Sequence, residues 1–222
     1  MGRLAVMLGS NALGPEGETI LAAASKHDVA IVQRHGGDAY RLPHQIDHAA
    51  NLQALVERDC DRVLAIGSVG SLSADLPVGA LLCPDDFIAL HLGLSALADA
   101  RGHRAPGFDP GWRREVLAAW AASGPGLRDG GVYWQTIGPR FETPAEIGLI
   151  AAHADVVGMT IASECIVAGE HGLAYAAICA VDNLANGIGP GKLDVASLEA
   201  DRAANALRLS DGLASALPRL VA

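Results

Sequence analysis

Cysteine, basic residues and aromatic rings are all scarce in this sequence, and each scarcity narrows what the chain can be. The four cysteines, Cys60, Cys83, Cys165 and Cys179, are widely spaced and form no CxxC pair. A disulfide framework is therefore not expected, and buried, reduced thiols in a cytoplasmic protein are. Sixteen Lys and Arg against twenty-five Asp and Glu leave a net charge of −9, which argues against a general nucleic-acid binder or a protein held on an anionic membrane. Long apolar runs are missing as well. The stretch "MGRLAVMLGSNALG" is too short in its apolar part for a signal peptide or a membrane span. Val6 also stands where a myristoylation signal needs Ser or Thr.

What is present is half hydrophobic, with 18% charged residues over 222 positions, enough to bury a substantial core. Short runs rich in Val, Ile, Leu and Ala read as buried strands at Leu4–Leu8, Val29–Val32, Arg62–Ile66 and Leu173–Val181. Val78–Cys83, Phe87–Leu90 and Val132–Ile137 are further strand candidates. Helical patterns lie between them, at Ile46–Glu57, Trp112–Ala122, Pro144–His153, Ala162–His171 and from about Val195 to Leu217. Segments 98–111 and 122–131 read as loops. Neither a repeat nor a break in composition divides the chain, so one α/β domain over 1–222 is expected, a mixed twisted sheet flanked by helices.

In such sheets ligands gather beyond the carboxyl ends of strands. Four strand-to-loop junctions qualify: "LGSNALG" with Ser10, "VQRHGG" with Arg34 and His35, "AIGSVGSL" with Ser68, and "AVDNLANG" with Asn183. A fifth segment, "VVGMTIASE", runs from a strand into a helix and brings Thr160 to the helix start. There, unpaired N–H groups and the helix dipole favour an anion, although Thr160 as an N-cap alone also accounts for the pattern. Together Ser10, Arg34, His35, Ser68 and Thr160 suit inorganic phosphate or a phosphate ester.

"GPRFETPAE" (138–146) divides in two. Thr143, Pro144 and Glu146 form a capping box with proline at the first helical position. Phe141 and Glu142 are not needed for that purpose. In a chain with three Phe, an aromatic face beside a carboxylate suits a planar heterocycle bearing an N–H. A core Phe and a solvated Glu is the competing reading.

Taken in order along the chain, "VMLGSNALG", "RHGG…PHQIDHAANLQAL", "GSVGSL…DLPVGALLCPDDFI", "GPRFETPAE" and "GMTIASECIVAGEHGLAYAAI" resemble the trimeric purine nucleoside phosphorylase and 5′-methylthioadenosine phosphorylase family. The resemblance implies the nucleoside phosphorylase fold, with a partly barrel-like mixed sheet. It also implies a homotrimer, no cofactor, and inorganic phosphate as co-substrate to a purine nucleoside. Ser10, Arg34, His35, Ser68 and Thr160 fall on the family's phosphate positions, and His35 and Asn183 on catalytic ones. Met159 falls where the ribose packs, Phe141 where the base or sugar is covered, and Glu142 and Asn183 where the base is read.

An Asn amide donates to a carbonyl at C6 and accepts from a protonated N7, and an ionised Glu accepts the N1–H of a 6-oxopurine that adenine lacks. The resemblance is therefore to the 6-oxopurine branch, provided Asn183 rather than the adjacent Asp182 meets the base. His48 replaces a usual Tyr near the ribose. Asn11 stands where Gly is usual, and the segment between Ser10 and Arg34 is short for the family. No His lies between Leu193 and Leu207, so Val195 and Leu198 are the candidates for an apolar 5′ pocket. The expected reaction is phosphorolysis of S-methyl-5′-thioinosine, with inosine and guanosine as further substrates. A methylthioadenosine phosphorylase, a nucleoside hydrolase and an inactive purine or phosphate binder are the competing outcomes.

Overall fold

The computed structural model describes residues 2–9, 17–36, 39–122, 126–189 and 195–222, with backbone alone at 17 and 195–200. Nine strands form one curled sheet: β1 (Arg3–Leu8), β2 (Ala30–Gln33), β3 (Cys60–Ser71), β4 (Leu81–Cys83), β5 (Asp86–Ile88), β6 (Leu127–Asp129), β7 (Val132–Gln135), β8 (Val156–Gly158) and β9 (Ala174–Leu184). The helices are α1 (Gly17–Lys26), α2 (His48–Val56), α3 (Pro110–Ala121), α4 (Pro144–Ile150), α5 (Ile161–Glu170) and α6 (Val195–Leu220). This is the mixed α/β architecture that the alternation of patterns predicts. β1 lies between β2 and β3 in parallel, and β3 is also parallel to β9. The pairs β3–β8 and β4–β9 are antiparallel.

Strand alternation explains the two core layers. Leu4, Val6 and Leu8 of β1, with Leu64, Ile66, Ala176 and Ile178, pack toward α1, α3 and α6. Ala5, Met7, Val63, Ala65, Tyr175 and Ala177 pack toward α2 and α5. Strands buried on both faces read as unbroken apolar runs, which is why these were visible in the sequence. All four cysteines are buried free thiols, and burial pushes the Cys83 thiol up to about 11. No helix among the described residues is long and apolar enough to cross a membrane.

Three expectations need correction. α1 was not expected at all, and β6 lies inside the 122–131 stretch read as a loop. More consequential for the site, β3 does not end at Ile66 nor β9 at Val181. Ser68 sits inside a strand, paired with Ala180, rather than in a glycine turn. The glycines of "GSVGSL" provide close approach instead of a turn: a Cβ on Gly67 would meet Ile161 Cδ1 at 3.2 Å.

Helix starts follow the local grammar. Asp47 caps α2 by accepting from Ala50 N at 2.9 Å, and Asp109 caps α3 by accepting from Trp112 N at 2.7 Å with Pro110 behind it. The expected capping box of α4 is present: Thr143 N donates to Glu146 Oε2 at 2.8 Å and Glu146 N to Thr143 Oγ1 at 3.2 Å. Arg140 grips the same Glu146 with two 2.8 Å bonds. Those bonds, with the Thr143 amide, hold its carboxyl down to about 2.

The packing of α6 on α3 rests on one small residue. Trp120 of α3 is fully buried, and a Cβ on Gly212 would come within 2.6 Å of its ring. Gly212→Ala is expected to lower stability by about 1–3 kcal/mol through overpacking, despite alanine's better helix propensity. Urea unfolding midpoints measure it, and a stabilised variant would contradict this packing.

Candidate active site

One cavity opens at the carboxyl ends of β2, β3, β8 and β9, and its wall collects residues from all five segments singled out in the sequence. Gly9, Arg34, His35, Ser68, Phe141, Glu142, Met159, Thr160 and Asn183 all line it. Ser10, the remaining phosphate candidate, and Asn11 lie outside the described residues, as do the side chains of Val195 and Leu198. His48 is not brought to the cavity wall. It starts α2, is buried, and its Nδ1 finds no hydrogen-bond partner among the described residues.

Arg34 anchors the floor. Its Nε and Nη2 donate to Glu164 Oε1 at 2.5 Å and Oε2 at 2.9 Å, and Nη1 donates to the Ile66 carbonyl at 2.7 Å. Both side chains of the pair are almost wholly inaccessible to solvent. Burial alone would lift the Glu164 carboxyl, but the Arg34 charge and hydrogen bonds outweigh it and hold it below its usual value. Tyr175 adds a hydroxyl donated to Glu164 Oε2 at 2.6 Å. Gly9 is required beside this pair: a Cβ there would lie 2.8 Å from Arg34 Nη1 and 3.0 Å from the Ile66 oxygen.

His35 is fixed by its Nδ1, 2.8 Å from the Arg41 carbonyl oxygen. A carbonyl can only accept, so Nδ1 carries the proton and the neutral ring presents Nε2 as an acceptor. Tyr40 stacks on it with centroids 4.7 Å apart and planes 7° apart. Thr160 precedes α5 but makes no side-chain cap bond. The Tyr133 hydroxyl serves there instead, accepting from Thr160 N at 3.2 Å and Ile161 N at 3.4 Å. Capping therefore does not explain Thr160.

The end of β9 answers which of two neighbours faces the cavity. Val69 opposes Val181 but Gly70 opposes Asn183, so Asp182 is the extra residue of a β-bulge. Asn183 lines the cavity and Asp182, with no exposed surface, does not. Asp182 instead accepts the Ser68 hydroxyl at Oδ2 and Asn205 Nδ2 at Oδ1, the latter at 2.7 Å. Asn183 Nδ2 donates one hydrogen to the Leu184 carbonyl at 2.9 Å, leaving a second hydrogen and Oδ1. Glu142 is buried, and its Oε1 accepts from Thr136 Oγ1 at 2.6 Å. Asn186 holds the Glu142 carbonyl at 2.8 Å. Phe141, 39% exposed, flanks them, so it is neither a core Phe nor accompanied by a solvated Glu.

Sequence reading missed three wall residues with hydrogen-bonding or charged side chains: Tyr40, Asn186 and Arg202. Asn186 lies three positions beyond Asn183 in the same "DNLANG" and was within reach. Arg202 is one charge on a long helix, with nothing local to mark it. Among the described residues no group of three or more His, Cys, Asp or Glu side chains could hold a metal ion.

Comparison with known proteins gives a consistent picture. A family model described as "Phosphorylase superfamily" matches residues 10–218. An Archaeoglobus fulgidus protein named "Probable 6-oxopurine nucleoside phosphorylase" is 45% identical over 170 residues, covering 75% of this chain and 69% of that one. A Xanthomonas campestris protein named "Probable S-methyl-5'-thioinosine phosphorylase" is 34% identical over 215 residues, covering 93% and 83%. Among solved structures, methylthioadenosine phosphorylase from Schistosoma mansoni in complex with adenine superposes with a TM-score of 0.81. It covers 98% of this chain and 91% of its own at 20% identity, which speaks to fold alone.

The two buried histidines give the fold a pH signature. Burial lowers both His35 and His48 below the ordinary value of 6.5. The unfolded chain therefore binds more protons as pH falls below that value, so this stability is fully present above it and declines below it. Thermal midpoints are expected to fall as pH drops below about 6.5. His48→Asn should flatten that decline, and an unchanged slope would show that His48 does not contribute.

Proposed function

Because the chain belongs to the phosphorylase superfamily, we propose that it cleaves the N-glycosidic bond of a 6-oxopurine nucleoside with inorganic phosphate, releasing the base and a ribose-1-phosphate. It is an enzyme of the purine nucleoside phosphorylase type. The observation that carries the choice of base is the bulge in β9, which turns Asn183 and not Asp182 toward the cavity that Glu142 also lines. In this reading the second hydrogen of Asn183 Nδ2 donates to the C6 carbonyl while Oδ1 accepts from N7–H. Glu142 accepts N1–H, and Phe141 covers the base. An adenine offers neither the C6 carbonyl nor the N1–H, so both positions would lose their complement.

The phosphate end of this reading comprises Arg34, His35, Ser68, Thr160 and Ser10, with no cofactor. The leaving base gathers electrons as the sugar becomes cationic. Asn183 would stabilise the first and the phosphate dianion or monoanion the second, so catalysis rests on positioning and electrostatics strongest in the transition state. Met159 at the β8–α5 junction supplies an apolar surface for the ribose. S-methyl-5′-thioinosine is the preferred substrate in this proposal, with Val195 and Leu198 about the 5′ group, and inosine and guanosine follow it. The homotrimer belongs to the same proposal: Ile137 and Leu149, 55% and 68% exposed, border a shallow apolar cleft that shares Glu142 with the cavity.

A phosphate-dependent panel tests the reading. Methylthioinosine, inosine and guanosine should be cleaved faster than methylthioadenosine and adenosine. Faster cleavage of the adenine nucleosides would overturn the 6-oxopurine reading, and base release without phosphate would indicate a hydrolase. No turnover with any nucleoside would leave a binding protein. Asn183→Ala should lose roughly 10²–10³ in kcat/KM, and near-normal rates would remove Asn183 from the mechanism. Sedimentation velocity should give three times the chain mass.

A further inference from the structure

The Glu142 backbone is fixed from two sides. Asn186 Nδ2 donates to its carbonyl at 2.8 Å, and the next residue, Thr143, gives its N–H to Glu146 at 2.8 Å. Neither bond reaches the side chain. A Glu side chain keeps three rotatable bonds, the last of them broad, so a fixed backbone alone leaves the carboxylate free to swing. Arg140 feels the Glu142 charge but is committed to Glu146 by two 2.8 Å bonds. Among the described residues the one hydrogen bond to the Glu142 carboxylate comes from Thr136, whose Oγ1 donates to Oε1 at 2.6 Å.

Thr136 is a firm support for that bond. It follows Gln135, the last residue of β7, which is clamped to α5. Gln135 Nε2 donates to Ser163 Oγ at 2.5 Å, and its Oε1 accepts from Ser163 N at 3.0 Å. Gln135 also pairs with Gly158 of β8, and Thr136 N donates to the Gly158 carbonyl at 2.9 Å. A β-branched side chain has few χ1 rotamers, so the hydroxyl moves little once this backbone is set. An O–H bond of this length to a carboxylate oxygen belongs to the strong, charge-assisted class. With Oε1 engaged, Oε2 is the oxygen left for a ligand.

We propose that Thr136 is a positioning residue for base recognition: its hydroxyl holds the Glu142 carboxylate in the orientation that accepts N1–H, and so contributes to the choice of a 6-oxopurine over adenine. The inference rests on the 6-oxopurine reading above. Thr136 lines the neighbouring cleft and not the cavity, so it acts through Glu142.

The test compares wild type with Thr136→Val, which keeps the shape and removes the hydroxyl, and Thr136→Ser, which keeps the hydroxyl. Kinetics with nucleosides and with inorganic phosphate are accompanied by titration calorimetry with hypoxanthine. Thr136→Val should lower kcat/KM for methylthioinosine and inosine by about 10- to 100-fold, the loss of one hydrogen bond to a charged group. The Kd of hypoxanthine should rise by a similar factor. The KM of phosphate, and such cleavage of methylthioadenosine as wild type shows, should stay within about threefold, since neither uses an N1–H. Thr136→Ser should recover most of the loss, and Thr136→Ala, which places no methyl against the carboxylate, should reproduce it. An unchanged hypoxanthine Kd or an unchanged kcat/KM in Thr136→Val overturns the inference and leaves the 6-oxopurine reading standing. A loss spread equally over phosphate and all nucleosides, or a Thr136→Ser as poor as Thr136→Val, also overturns it, by reducing Thr136 to a packing role. Wild-type preference for the adenine nucleosides sinks the base reading and this inference together.

Discussion

The ion pair between Arg34 and Glu164 is the constraint around which the molecule is arranged. It joins the residue that follows β2 to the first turn of α5 across 130 positions of sequence, entirely out of water. Isolated, either charge would be intolerable there, and removing one partner from such a pair typically costs about 3–5 kcal/mol. Tyr175 from β9 and the Ile66 carbonyl from β3 complete the hydrogen bonding, so four strands and helices share one polar knot inside an apolar layer. The cavity lies directly over it. The floor of the site is rigid because the pair admits one geometry, with two oxygens meeting two nitrogens in a plane.

A guanidinium so tightly matched to a carboxylate shapes the floor, with three of its five N–H groups engaged. Arg202 reaches the same cavity from α6, a helix seated at Gly212 against Trp120 of α3. The Glu142 side of the cavity is held in the same manner: Thr136 and Asn186 grip it by one carboxylate oxygen and its carbonyl, which fixes the carboxylate in place.

Much of this was legible in the sequence, and the exceptions have physical causes. Strands buried on both faces announce themselves as apolar runs, and the α4 capping box could be read letter by letter. Glycine misled where it served proximity. Gly67 and Gly70 looked like turn formers, yet both lie within β3 because a side chain there would press on Ile161 or on the Asn183 amide. A strand continued by glycine cannot be told from a strand ended by it without the neighbour in view. Arg202 was unreadable for a different reason: its place on the cavity wall, 3.8 Å from Asp182, is set by the fold and by nothing local in the sequence. His48 went the other way, a polar residue in a suggestive stretch that the helix start turns into the interior.

The bulge in β9 gives the strand two registers. Up to Val181 its residues are indexed to the two apolar layers, and from Asn183 onward they are indexed to the cavity, with Asp182 absorbing the mismatch. Position 183 is thereby insulated from the demands of the sheet. In the proposed reading, an exchange of amide for carboxylate at that point changes the preferred base while the apolar layers before Val181 stay as they are. Innovation in substrate choice and conservation of the scaffold are separable here by the thickness of a single residue.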